Sequence, residues 1–114
     1  MKKIITSPKA PAPIGPYNQA VMAGDTLYIS GQIALNPETG ELMMASIEEE
    51  TKWVMNHIGS ILAEAGMDYS NLVKCSIFVT DMENFSAINQ VYGTYFHKDP
   101  PARETVEICK LPKN

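Results

Sequence analysis

An α+β fold is what this sequence predicts: a mixed β-sheet with two helices packed on one face, in the order β-β-β-α-β-α-β. Three observations carry it. Two stretches place apolar residues at a 3.6 period behind helix-capping residues, and several short runs are built from β-branched and aromatic residues between turn signals. A strand, a helix and a strand also recur twice, which calls for right-handed crossovers onto one sheet. With 114 residues there is enough chain for one core and not for two, so residues 1–114 read as a single domain.

Lys2 to Thr6 is a short edge strand. Ser7 to Tyr17 follows, with four prolines and one glycine in eleven residues. Such a segment joins neither a helix nor a central ladder, but its fixed φ angles make a stiff loop that presents Tyr17 in one place, either to a ligand or as a plug over a groove. Asn18 to Ala23 and Thr26 to Ile33 form a hairpin about the compact turn Gly24-Asp25. Gly31 interrupts the return strand, which suggests a bulge or the close approach of something to the backbone. Asn36 to Gly40 is a turn that closes into a short segment near Leu42-Met43.

Ser46 and Glu49 form a capping box at the start of a helix whose stripe is Ile47, Thr51, Val54, Met55, Ile58, Ile61, Leu62 and Ala65. Gly66 stops it. Trp53 and His57 fall beside the stripe, to cover its margin or to face a partner subunit. Asn71 to Thr80 is the strongest strand. Asp81 caps a second helix with stripe Phe85, Ile88, Tyr92, Tyr95 and Phe96, and Asn89 shares that face, where a buried amide needs partners. Pro100 and Pro101 then force an extended entry into a strand with Thr105 and Glu107 on one side and an apolar Val106 and Ile108 on the other. Arg103 stands at its mouth, as a fork for a carboxylate or as an edge cation paired with Glu107. The sheet face away from the helices is left bare, so association with other copies is expected.

The formal charge of −4 argues against nucleic acid as a main ligand, because phosphate neutralisation needs a basic face. The apolar runs are too short to span a bilayer and the N-terminus lacks a signal-peptide core, so no membrane partner and a cytoplasmic address are expected. Cys75 and Cys109 have no disulfide or zinc spacing and read as buried reduced thiols; no metal is expected.

The chain resembles the Rid family of reactive-intermediate deaminases (the YjgF type). The matching motifs are Ala12-Pro13-Ile14-Gly15-Pro16-Tyr17-Asn18-Gln19-Ala20, Leu27-Tyr28-Ile29-Ser30-Gly31-Gln32-Ile33, Glu64-Ala65-Gly66, Val79-Thr80-Asp81-Met82 and Phe85-Ser86-Ala87-Ile88-Asn89. Pro101-Ala102-Arg103 follows, and Val106-Glu107 leads on to Leu111-Pro112-Lys113. The motifs occur in family order over the whole length. The resemblance implies a chorismate-mutase-like fold in a homotrimer with a barrel-like centre and three clefts between subunits. It implies hydrolysis of 2-imino or enamine acids, such as 2-iminobutanoate and 2-iminopropanoate or 2-aminoacrylate, to 2-keto acids and ammonia without a cofactor. On the matching positions Arg103 would grip the substrate carboxylate and the Gly31 amide would approach the substrate. Tyr17, Ser30 and Asn89 would line the cleft, and the Thr105 carbonyl would orient the attacking water.

Two departures accompany the resemblance. Family members run on after Leu-Pro-Lys into a final strand whose glutamate orients the water, whereas the sequence here stops at Asn114; if the protein itself ends there, the sheet loses that edge strand and the site that acid. Thr105 stands where many members have cysteine, which is compatible with a role for the backbone carbonyl alone. Besides the deaminase, the sequence leaves open a non-catalytic small-carboxylate binder or regulator, a chaperone-like surface role, and a ribonuclease-like role disfavoured by the acidic balance.

Overall fold

The computed structural model describes residues 1–113. Three strands come first: β1 (Lys2–Ile5), β2 (Ala20–Ala23) and β3 (Thr26–Ile29). They form an antiparallel ladder in which Ile5 pairs with Ala20 and Ala20 with Ile29. Gly24 takes a φ of 59° in the β2–β3 turn, a left-handed conformation that suits a residue without a Cβ. β3 is shorter than the alternation predicts. Its last regular residue is Ile29, although the Ser30 amide still donates to the Gln19 carbonyl at 2.9 Å, the next position in the β2–β3 register.

Helix α1 spans Ile47–Glu64. Half of the expected capping box is present: the Ser46 hydroxyl accepts from the Glu49 amide at 3.1 Å, but the Glu49 side chain makes no return bond to the Ser46 amide among the described residues. At its end Gly66 has φ 75°, its amide donates to Ala63 O, and the Met67 amide donates to Leu62 O at 2.8 Å. This pair of bonds is the Schellman closure that a glycine makes possible. The stripe drives Ile61 and Leu62 out of solvent altogether, and Ile61 joins Ile5, Ala10 and Ala20 in the core beneath the first ladder.

Beyond α1, a 3-10 turn at Tyr69–Asn71 precedes β4 (Lys74–Val79). Asp81 caps a second 3-10 turn, Met82–Asn84, by accepting from the Glu83 amide, and α2 (Phe85–Gly93) follows. β5 (Ala102–Glu107) lies parallel to β4, with Cys75 opposite Arg103 and Phe78 opposite Val106. The two helices pack together, and the Tyr95 hydroxyl donates to Asn56 Oδ1 at 3.1 Å to tie the segment after α2 to α1.

Element order and the α+β class match the expectation, but three features differ. The strands form two ladders, β1–β2–β3 and β4–β5, rather than one hydrogen-bonded sheet among the described residues. Alternation identifies strands without naming their partners, and the crossover rule alone does not close β3 onto β4. The polarity of β5 is also reversed. Arg103 and Thr105 face α2, while the apolar Val106 is 40% exposed beside Phe78 at 52%. The first ladder likewise turns Ile4, Val21 and Tyr28 away from the core. Finally, both thiols are free as expected, but Cys109 is exposed and Cys75 only half-buried.

His57 does not sit at the margin of the α1 stripe. It is 2% exposed, and its Nε2 lies 2.8 Å from the Leu35 carbonyl, so the ring braces the loop after β3. The nitrogen facing a carbonyl must carry the proton, which fixes the tautomer. Burial lowers its pKa below 6.5, and the Leu35 bond only partly opposes this. The unfolded chain therefore takes up a proton before the folded one does. Stability is retained above about pH 6.5 and lost as the pH falls below it. Urea titrations between pH 5 and 8 should show a steeper acid-side loss in the parent than in His57→Gln. Parallel curves would contradict this role.

No helix is long and apolar enough to cross a membrane among the described residues.

Candidate functional site

The residues singled out by the sequence fall on two separate surfaces. The first is built by the proline loop and the end of β3. Gln19, 3% exposed, is its hub: its Oε1 accepts from the Ser7 amide at 2.7 Å, and its Nε2 donates to the carbonyls of Ser7, Ala10 and Pro11 at 3.1, 3.2 and 2.9 Å. One buried amide thus satisfies backbone groups that the prolines prevent from pairing with one another. The loop then carries Tyr17 to an exposed position, where its hydroxyl accepts from the Ile14 amide at 3.2 Å.

Tyr17 and Gly31 line one cleft of about 170 Å³, together with Gln19, Gln32, Ile33 and Pro112. Gly31 is exposed, and a Cβ built on it would meet nothing within 4 Å, so the missing side chain keeps this cleft open rather than relieving a clash within the chain. Its amide donates to no group among the described residues. Ser30 is differently committed: its hydroxyl donates to the Asn18 carbonyl at 2.6 Å and fixes the turn at the end of β3.

The second surface lies where β5 meets α2. The Arg103 guanidinium carbon sits 5.6 Å from the ring centre of Phe85 and 5.0 Å from that of Tyr92. Arg103 makes no ion pair among the described residues. Glu107, its candidate partner, instead accepts from the Met82 amide at 2.9 Å, and the acid on β5 that does pair is Glu104, with Lys74 at 2.7 Å. Lys74, ahead of Ser76, holds the Glu104 carboxyl below its usual range. Asn89 is half-buried on the α2 stripe between Phe85 and Tyr92, and its side chain makes no hydrogen bond among the described residues. The partners that a buried amide needs are therefore not supplied within the described residues. Thr105 faces the same layer, with its Oγ1 buried and unpartnered.

Arg103 and Thr105 thus lie on the face of β5 turned to α2, on whose stripe Asn89 falls between Phe85 and Tyr92, while Tyr17 and Gly31 line a cleft to which none of those three contributes. The sequence motifs contained Gln19 but gave no sign of its role.

The two surfaces thus offer an arginine fork with no ion pair among the described residues, an open glycine amide and an exposed tyrosine. Residues 7–114 match the family model described as Endoribonuclease L-PSP. The chain is 42% identical to the 2-iminobutanoate/2-iminopropanoate deaminase of Mus musculus, over 99% of this chain and 84% of that one. It superposes on a protein of the conserved Rid family, YyfA of Yersinia pestis, with a TM-score of 0.96 at 43% identity, covering 99% of this chain and 90% of that one. It superposes on Escherichia coli TdcF, solved with bound serine, with a TM-score of 0.93 at 35% identity, covering 97% and 89%. The chain belongs to the Rid (YjgF-type) family.

Proposed function

We propose that this protein hydrolyses small 2-imino and enamine acids to 2-keto acids and ammonia, in clefts shared between the copies of a homotrimer. The observation that carries the reading is Arg103: a cation on a stiff strand with no anion of its own, in a chain 42% identical to a mammalian imine deaminase. A guanidinium with its donors unspent suits the bidentate capture of a carboxylate, which every substrate in this class bears.

The chemistry asks for little else. A protonated imine is already a strong electrophile. Water adds to C2, one of its protons moves to the nitrogen, and as the carbon–nitrogen bond breaks the remaining hydroxyl proton passes to the departing ammonia, leaving a 2-keto acid and ammonium. The protein has to hold the carboxylate, place the water and exclude the rest of the solvent. In this reading Arg103 grips the carboxylate and the free Gly31 amide supports the substrate. Asn89, Ser30 and Tyr17 line the cleft, and the Thr105 carbonyl orients the water.

Because Tyr17 and Gly31 lie on one surface and Arg103 on another, a cleft holding all of them is assembled from two copies. The apolar faces carrying Tyr28, Phe78 and Val106 supply the contact. Sedimentation equilibrium at micromolar concentration should report three chains per particle; a clean monomer would contradict the shared cleft. The net charge of −4 gives no support to an RNA substrate.

The test of function follows 2-iminobutanoate, generated in situ, through semicarbazide trapping. Added protein should speed its loss and release ammonia. Binding of 2-ketobutanoate, seen by NMR, without any acceleration would instead favour a non-catalytic carboxylate-binding protein. Named groups meet only the carboxylate and the imine carbon, so imines from alanine and other short apolar amino acids should react faster than those from lysine or glutamate.

A further inference from the structure

We propose that Phe85 and Tyr92 are positioning residues that hold the Arg103 guanidinium at a fixed angle for the substrate carboxylate. The inference rests on the reading of Arg103 as the carboxylate clamp. The two rings lie seven residues apart on α2, two turns along one side of the helix, so both reach the same group. The guanidinium carbon is 5.6 Å from the first ring centre and 5.0 Å from the second. Both distances lie within the range in which a ring face attracts a cation.

This is an unusual way to hold an arginine, and it has a chemical consequence. An acid partner would orient the fork but would occupy the N–H donors that a substrate carboxylate needs. Ring faces attract the charge without accepting those donors, so the fork stays aimed and unspent. The β5 acids are kept away from it, since Glu107 accepts from Met82 and Glu104 pairs with Lys74.

The platform is rigid. Tyr92 is 7% exposed and its ring packs 5.0 Å from that of Phe96, which meets Tyr69 at 6.3 Å. The Tyr69 hydroxyl donates to the Met55 carbonyl at 2.7 Å, which ties the aromatic series to α1. The Tyr92 hydroxyl is buried beside Cys75 and meets no hydrogen-bond geometry among the described residues, so the ring face and not the hydroxyl accounts for the contact with Arg103. Burial, and then the neighbouring Cys75, raise the Tyr92 pKa, with Arg103 acting weakly the other way, so the ring is a neutral phenol at working pH.

The experiment compares Phe85→Leu, Tyr92→Leu and Tyr92→Phe in the full assembled chain. Steady-state turnover of 2-iminobutanoate is measured alongside the NMR resonance of the Arg103 Nε–H. In the parent that resonance should be displaced upfield by the ring currents. Both leucine variants should raise KM roughly five- to thirty-fold, with a smaller effect on kcat, and move the resonance back toward that of a free arginine. Tyr92→Phe should keep the parent KM and the displaced resonance. Phe85 is 37% exposed, so Phe85→Leu carries the test alone if Tyr92→Leu does not fold. A folded Phe85→Leu with parent KM and an unmoved resonance overturns the positioning role while leaving the deaminase reading intact. Parent-like turnover by Arg103→Lys overturns that reading, and this inference with it.

Discussion

Arg103→Lys should lower kcat/KM for 2-iminobutanoate by roughly thirty- to a thousand-fold, or about 2–4 kcal/mol, while leaving the protein folded. Lysine keeps the charge and a long stem, so it can still lie over Phe85 and Tyr92, but it loses the planar pair of donors that matches a carboxylate. Arg103 has no acid partner among the described residues, so no ion pair is broken, and stability should change by less than about 1 kcal/mol. Turnover and thermal melting of the same preparation separate the two effects. A stabilising edge arginine would behave the other way round, with the melting midpoint falling and activity per folded assembly preserved.

Gln19→Leu should cost about 3–5 kcal/mol of stability in urea titrations. Leucine fills much of the same volume but leaves the Ser7 amide and the carbonyls of Ala10 and Pro11 without this partner, and the Ser7 carbonyl with the Ala10 amide alone at 3.3 Å. Each orphaned group costs about 1–3 kcal/mol, partly recovered where water can enter. The loop that carries Tyr17 should loosen at the same time, so backbone amides from Lys9 to Tyr17 should exchange faster with solvent. A loss below about 1 kcal/mol would mean that the loop is held by its prolines alone.

Local chemistry made much of the fold legible. Ser46, Gly66, Gly24 and the Ile61–Leu62 stripe act on neighbours within a turn or two, and the structure places them as their types require. What stayed hidden depends on groups distant along the chain. His57 reads as a marginal residue until the Leu35 carbonyl, 22 positions away, is seen against it. Gln19 reads as one strand residue among others until the proline loop folds back over it. The same holds for β5, whose alternation showed that it has two faces without showing which one meets α2. The helix takes Arg103 and Thr105, leaving Val106 outside. For the site, family motifs picked out the residues, but no periodicity could show that they divide between two surfaces.

That division yields the most direct test of a deaminase site shared between copies. Arg103→Lys and Tyr17→Ala proteins, each poorly active alone, are unfolded together in equal amounts and reassembled. If each cleft takes Arg103 from one copy and Tyr17 from another, about one quarter of the clefts in a random mixture receive both parent residues. Activity toward 2-iminobutanoate should then rise to about a quarter of the parent value, well above either variant refolded by itself. A mixture no more active than the two variants measured separately would contradict the shared site.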